Sequence, residues 1–167
     1  MLSRTCSTAT VIQAPDMSAA VDAVATYLRH ENLGLSVAMA PDPYLDTLPW
    51  RRIPLLSARR GAAEESDRVS ITSAFAGVAE TGTLVMCSGP RHPSTLNFLP
   101  PTHIVLLPAA RVVGPLEDAL DPLRGALLPA TINLITGPSR SADIEQTILL
   151  GAHGPQRLAI VVVGDGA

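Results

Sequence analysis

The chain has 167 residues, which is enough for one domain with a buried core over residues 1–167. Apolar residues make up 47% of it and the mean hydropathy is +0.28, which excludes a disordered chain. The formal net charge is −3 and the basic residues are scattered, so we expect no nucleic acid partner.

Residue content excludes several further classes. No apolar run reaches the roughly 18 residues of a membrane span, and polar residues interrupt the N-terminus, so we expect a cytoplasmic protein. The two cysteines, Cys6 and Cys87, form no CxxC motif, and the four histidines lack metal-ligand spacing. The sequence therefore predicts no metal site and no cofactor in this chain. All twelve basic residues are arginine, which excludes a Schiff-base lysine and a P-loop lysine.

Periodicity and turn residues predict helices and strands that alternate along the chain. An amphipathic helix is predicted first, and three further helical segments follow: 17–32, 73–79, 114–127 and 142–150. Apolar runs predict strands near residues 35–40, 68–72, 83–87, 103–107, 131–136 and 158–163. Residues 41–67 look irregular, and residues 89–101 look like a loop or short helix. This alternation predicts an α/β fold, a three-layer sandwich with a mostly parallel sheet.

Polar turns follow two of the predicted strands, at Gly89–Arg91 and Gly137–Ser141. Ligands of parallel sheets bind beyond the carboxyl ends of the strands. In the second turn, Ser139 or Ser141 can cap the following helix, and Arg140 suits a carboxylate or a phosphate. Against this, two acidic residues early in that helix already satisfy its dipole and repel an anion, and an ordinary helix cap is the alternative interpretation of the stretch.

The stretch AETGTL contains the second candidate site. Glu80 lies between apolar segments, so we expect a partly desolvated carboxylate that could act as a nucleophile or base. Thr81 and Thr83 add hydroxyls on either side of Gly82. Alternatively, Glu80 hydrogen-bonds the backbone at a turn. His153 follows the last predicted helix and either caps its carbonyls or reaches a ligand.

We predict that the Gly137–Ser141 turn faces the Glu80 turn across one cleft, because both turns would follow parallel strands. The donors of the first turn would hold the carboxylate of a 2-hydroxy or 2-oxo acid, and the threonine hydroxyls would hold its second oxygen.

Three motifs, AETGTL, SGPRHPSTLNFLPPTHIVLLPAARVV and LITGPSRSADIEQTILLGAHGP, together resemble the lactate-utilisation (LUD) domain family, most of all its LutC type. The resemblance covers about residues 69–165, and we expect the part before it to be short or truncated. It implies the fold of ribose-phosphate isomerase, glucosamine-phosphate deaminase and the CoA transferases. It also implies the cluster-free component of a system that oxidises L-lactate to pyruvate, with iron–sulfur protein subunits as partners.

Two other functions stay open at the level of the sequence. Glu80-Thr81-Gly82 is similar to the Glu-Asn-Gly in which some CoA transferases place their nucleophile, which implies a small-molecule enzyme of the CoA-transferase or sugar-phosphate type. Thr81 departs from that motif because threonine lacks the amide donor of asparagine. The third function is a regulatory or sensing module that binds a hydroxy acid or a nucleotide without chemistry.

Overall fold

Twelve strands and four α-helices are present in the part of the chain that the structure describes. This computed structural model describes residues 9–138, 140–142, 148–150 and 154–166, of which residues 140–142 and 148–150 are described by their backbone alone. The helices are α1 (Met17–His30), α2 (Pro43–Asp46), α3 (Thr95–Phe98) and α4 (Leu116–Leu120). The strands are β1 (Thr10–Ala14), β2 (Ser36–Met39), β3 (Ser57–Arg60), β4 (Val69–Ser73), β5 (Ala76–Val78), β6 (Thr83–Cys87), β7 (Thr102–Pro108), β8 (Val112–Val113), β9 (Ile132–Ile135), β10 (Arg140–Ala142), β11 (Ile148–Leu150) and β12 (Arg157–Val163).

The larger sheet has six parallel strands in the order β1-β12-β7-β4-β2-β3. Its central strands β4, β7 and β12 are almost wholly buried, as expected for a parallel sheet that is covered on both faces. The register pairs Ala14 with Val163 and Val163 with Pro108, so β1, β12 and β7 end side by side. The predicted parallel sheet and its four predicted strands β2, β4, β7 and β12 are therefore confirmed.

Helix α1 covers one face of this sheet. Asp16 caps the helix, because its Oδ1 accepts a hydrogen bond from the backbone N of Ala19 at 2.8 Å. Val21, Val24 and Leu28 recur at helical spacing and are fully buried against strands of the larger sheet. The helix predicted over residues 17–32 is thus confirmed, with its end at His30. None of the helices in the described ranges is long and apolar enough to cross a membrane.

A second sheet covers the other face, where a three-layer α/β sandwich would have helices. Its four strands have the order β8-β5-β6-β9, with β6 antiparallel to both β5 and β9. Leu84, Met86 and Ile135 of this sheet pack with Val105 and Leu107 of the larger sheet. The strands predicted near residues 83–87 and 131–136 exist, but their placement in the parallel sheet is wrong.

Strand β5 lies within residues 73–79, which were predicted to be helical. Gly77 explains the difference, because a Cβ at this position would lie 2.7 Å from Cδ2 of Leu107. The small residues of this segment therefore let two sheets approach closely, a common reason for glycine in a strand. The helix predicted over residues 114–127 is also shorter than expected. It ends at Leu120, and a 3₁₀ turn that contains Pro122 follows, because proline cannot donate to a continuing helix.

The segment predicted as a helix over residues 142–150 has strands at both ends. Strands β10 and β11 pair antiparallel, with Arg140 opposite Leu150 and Ala142 opposite Ile148. Residues 143–147 lie outside the described residues. The helix prediction is wrong at its two ends, because a short apolar run such as Ile148–Leu150 fits a strand as well as a helix.

Candidate functional site

The stretch around Glu80 is the turn of a β-hairpin. Strands β5 and β6 pair with Val78 opposite Thr83, so Ala79–Gly82 form the loop between them. Gly82 has a φ of 65°, a left-handed conformation that glycine adopts without strain. Glu80 is exposed in this loop, and the predicted desolvation of its carboxylate is therefore wrong.

Three threonine hydroxyls form a chain beside this turn. Oγ1 of Thr81 lies 2.8 Å from Oγ1 of Thr83, which lies 3.1 Å from Oγ1 of Thr136. Thr83 is buried, whereas Thr81 is exposed. These three hydroxyls meet because β6 and β9 are antiparallel, with Leu84 opposite Ile135, so the start of β6 lies beside the end of β9.

The same register places Gly137, which follows β9, next to the turn that precedes β6. Gly137, the described start of the predicted turn, thus lies beside the Glu80 turn, but the predicted cause, two parallel strands that end at one edge, is wrong. The predicted cleft between the two turns stays a prediction. Gly89 lies at the opposite end of β6, where it pairs with His92 in a tight turn. Six positions separate it from Thr83, or about 20 Å at the rise of a strand. The structure thus separates Gly89 from the threonine hydroxyls.

The remaining predicted site residues follow Gly137. Ser139 and His153 lie outside the described residues, and Arg140 and Ser141 are described only as backbone in β10. A strand at these positions removes the helix N-terminus on which the predicted anion pocket depended. The ligand roles of these four residues stay predictions.

A second polar group, which was not predicted from the sequence, lies at the carboxyl edge of the larger sheet. Asp16 follows β1 and Asp165 follows β12, two strands that end in register. The two aspartates line a cleft of about 290 Å³ together with residues from α1, α2, β7 and the end of β12. The other lining residues are Met17, Ser18, Tyr44, Pro108, Val163 and Gly164. We call this space the carboxyl-edge cleft.

Glycine is required where the backbone borders this cleft. A Cβ on Gly164 would lie 2.7 Å from the carbonyl oxygen of Pro15. The N–H of Gly164 donates to the carbonyl of Ala14 at 2.8 Å, and the N–H of Gly166 donates to that of Pro15 at 3.0 Å. These bonds hold the segment after β12 against the segment that leads into α1, which fixes Asp16 and Asp165 on the same side of the sheet.

Tyr44 and Arg111 are stacked next to the cleft. The guanidinium carbon of Arg111 lies 5.5 Å from the centroid of the Tyr44 ring, within the range of a cation–π contact. One Nη of Arg111 also donates to the carbonyl of Ala74 at 2.8 Å. Burial raises the pKa of Tyr44; Arg111 opposes this shift, while Asp42 and Asp165 add to it. Tyr44 therefore keeps its phenolic proton at neutral pH and can donate it in a hydrogen bond.

Tyr44 is positioned by a buried carboxylate. Asp42 accepts hydrogen bonds from the backbone N of Tyr44 at 3.0 Å and from the hydroxyl of Ser73 at the end of β4. Asp42 is 6% exposed, so α2 is tied firmly to the sheet edge. Such an arrangement gives Tyr44 a fixed orientation, which a binding residue needs.

The sequence did contain a signal for this cleft. Asp165 comes directly after the apolar run of β12, and Arg111 follows β7 by three positions. Polar residues in these places are typical of ligand sites in parallel sheets. The group was missed because β1 was not predicted, so nothing indicated that Asp16 belongs to the same edge. Among the described residues, no group of three or more histidine, cysteine, aspartate or glutamate side chains is suited to a metal ion.

His103 is the one fully buried histidine in the described ranges. It lies on β7, and its Nε2 is 2.8 Å from Oγ1 of Thr72 on β4. Its Nδ1 has no hydrogen-bond partner in the described part of the chain. Burial lowers the pKa of His103 to about 3, so the imidazole is neutral at physiological pH.

Known proteins resemble the chain over most of its length. The LUD domain family matches residues 56–163. Lactate utilization protein C of Anoxybacillus flavithermus is 34% identical over 146 residues, which are 85% of this chain and 62% of that protein. Lactate utilization protein C of Bacillus subtilis is 34% identical over 143 residues, which are 82% of this chain and 60% of that protein. The chain thus spans about three fifths of the length of these relatives.

A solved structure has the same fold. The crystal structure of a DUF162 family protein from Deinococcus radiodurans superposes with a TM-score of 0.64 at 19% identity, over 93% of this chain and 88% of that chain. At this identity the likeness shows the shared fold alone.

Proposed function

Because this chain belongs to the LUD domain family, we propose that it acts in the utilisation of L-lactate, as the cluster-free component of a system that oxidises L-lactate to pyruvate. The observation that carries the proposal is its 34% identity over 85% of the chain to a protein named Lactate utilization protein C. That relative is longer, so its role is transferred here as a hypothesis.

The cysteine content of the chain favours a system in which other proteins hold the iron–sulfur clusters. It contains two cysteines, whereas an iron–sulfur cluster is usually held by four. We therefore propose that partner proteins supply the iron–sulfur centres, and that this chain contributes a binding surface and a site for a small carboxylate.

An exposed apolar patch supports partner binding. Leu127 is 99% exposed and Leu128 is 66% exposed, just before β9. Ile132 and Leu134 alternate along β9 and are also exposed. β9 is the last strand in the order of its sheet, so its outer edge has no strand partner among the described residues. Exposed apolar groups beside a free strand edge favour contact with another protein.

Co-purification of the tagged chain with two iron–sulfur proteins, from the organism that encodes it, tests the proposal. We expect both to elute with the tagged chain, together with the visible absorbance of their clusters. Replacement of Leu127 and Leu128 by serine should weaken this association. Leu55→Ser is the matched control, because Leu55 is 78% exposed and lies before β3, outside the patch. Failure of both proteins to co-purify would contradict the proposed assembly.

The other predicted roles stay predictions. The threonine chain next to Gly137 remains a candidate site for a small carboxylate. The alternative of an enzyme that uses Glu80 has no specific structural support, since Glu80 is exposed and no described residue hydrogen-bonds to its carboxylate. Incubation with several acyl-CoAs, followed by mass analysis for an adduct on Glu80, would decide this alternative.

A further inference from the structure

We propose that a groove beside Trp50 binds a planar aromatic anion, with the ring of the ligand against the indole and its carboxylate or phosphate on Arg51. The groove has a volume of about 380 Å³ and is lined by one continuous segment, Asp46, Thr47, Leu48, Pro49, Trp50 and Arg51. We call it the Trp50 groove. This segment follows β2, a strand of the larger parallel sheet, so it starts from the carboxyl edge, where ligands of such sheets bind. This binding is independent of a role in lactate utilisation.

Arg51 supplies a positive charge that no described carboxylate compensates. Four arginines lie between residues 51 and 60. Three of them form ion pairs: Arg52 with Asp22 at 2.7 Å, Arg60 with Asp46 at 2.5 Å, and Arg59 with Asp67. Arg51 is exposed, and no described residue forms an ion pair or a hydrogen bond with its guanidinium. A guanidinium is charged at every physiological pH, and its planar fork of donors matches a carboxylate or a phosphate.

The one acidic residue in the lining, Asp46, is compensated by Arg60. One Nη of Arg60 donates to Oδ1 of Asp46 at 2.5 Å, and the other donates to the carbonyl of Ala40 at 2.7 Å. The guanidinium of Arg60 is therefore fixed beside the carboxylate of Asp46. Two arginines and one aspartate leave one positive charge at the Trp50 groove, which favours an anionic ligand over a cationic one.

Trp50 supplies an aromatic ring whose only polar group is already used. Its indole Nε1 donates to the carbonyl of Leu45 at 2.6 Å, so this N–H does not select the ligand. The side chain is half-buried because it packs against the core that α1 covers, and it also lines the groove next to Leu48 and Pro49. Aromatic side chains bind flat rings by stacking. A volume of about 380 Å³ lies within the range of about 300–1,000 Å³ for small-molecule pockets, so one ring system with an anionic substituent can enter.

The fluorescence of Trp50 reports directly on this groove, because the chain has a single tryptophan. The probe is adenosine monophosphate (AMP), which joins a planar ring to a phosphate, and it should change the emission of the full chain in a saturable way. Adenosine, which lacks the phosphate, should bind at least about tenfold more weakly than AMP, the effect of a charge-assisted contact. Ribose phosphate, which lacks the ring, should be at least about fivefold weaker when it is measured by displacement of AMP.

Two adjacent arginines provide a matched pair of variants. Arg51→Gln should weaken the binding of AMP by at least about tenfold. Arg52→Gln is the control, because Arg52 is paired with Asp22 and does not line the groove, and it should change the dissociation constant by no more than about twofold. Trp50→Leu removes the ring and should weaken AMP at least about fivefold, as measured by titration calorimetry. Thermal unfolding shows whether each variant is folded, and Arg51→Gln, at an exposed position, decides the question even where Trp50→Leu does not fold.

The outcomes separate a specific site from general attraction of anions. Saturable binding of AMP that needs both the ring and the phosphate, and that Arg51→Gln weakens but Arg52→Gln does not, would support the site. Absence of any change in emission at millimolar AMP would overturn it. Equal affinity for AMP and adenosine would also overturn it, as would an equal loss of affinity in Arg51→Gln and Arg52→Gln. Co-purification with iron–sulfur proteins is independent of these results, so failure of the groove and failure of the proposed function can be told apart.

Discussion

Protonation of His103 should limit stability at mildly acidic pH. The side chain is buried between the two sheets, and its pKa is lowered from 6.5 to about 3 by burial. Below pH 6.5 the unfolded chain binds a proton at this position, whereas the folded chain does not. Stability is therefore fully present above pH 6.5 and is lost as the pH falls from 6.5 towards 3.

The expected loss of stability follows from the difference between the pKa of His103 in the unfolded chain and its pKa in the folded chain. Each pH unit between the two pKa values costs about 1.4 kcal/mol, so a decrease from pH 7.5 to pH 5.0 should reduce the free energy of unfolding by about 2 kcal/mol through His103 alone. A typical domain has a total stability of only about 5–15 kcal/mol. The effect is thus large enough to measure by urea denaturation.

Trp50 provides the signal for this measurement. It is the single tryptophan of the chain, and its indole Nε1 donates to the carbonyl of Leu45 at 2.6 Å, so its fluorescence should change on unfolding. His103→Gln is the comparison variant, because glutamine can bond to Thr72 but does not titrate. Wild type should lose about 2 kcal/mol more than this variant between the two pH values. The same pH dependence in both proteins would refute the proposed protonation of His103.

Three pairs of substitutions test the packing and the cap of α1. Gly164→Ala should destabilise the fold by about 1–3 kcal/mol, because the added Cβ would press on the backbone. Gly34→Ala is the control, since its Cβ would meet open space and should be tolerated. The denaturant midpoints of the two variants test this difference in stability. Ile104→Ala should cost about 2–5 kcal/mol in the same assay, while Leu127→Ala, at an exposed position, should stay within about 0.5 kcal/mol. Asp16→Ala should cost about 1 kcal/mol by loss of the α1 cap and Asp16→Asn only a few tenths, and equal losses would contradict the capping role.

The sequence predicted those elements of the fold whose apolar residues form a recognisable local pattern. Strands β4, β7 and β12 are continuous apolar runs, and α1 has a regular amphipathic period, so each could be located without tertiary information. In contrast, all four residues of β3 are exposed. Such an edge strand is specified by its pairing with β2, which local sequence does not show.

The candidate sites, too, depend on strand pairing that the local sequence does not show. Hydroxyls at Thr83 and Thr136 meet because β6 and β9 are antiparallel, and strand direction in a sheet cannot be read from two separate apolar runs. The carboxyl-edge cleft depends on the register of β1 against β12, which places Asp16 beside Asp165. Residue chemistry predicted which side chains could bind a small carboxylate, but the sheet topology decides which of them are neighbours.

Growth on L-lactate as the sole carbon source tests the central claim most directly. Deletion of the gene for this chain should abolish growth on L-lactate but leave growth on pyruvate unchanged, and expression of the chain from a plasmid should restore it. Normal growth of the deletion strain on L-lactate, without another lactate-oxidising enzyme in that strain, would contradict a role in lactate utilisation.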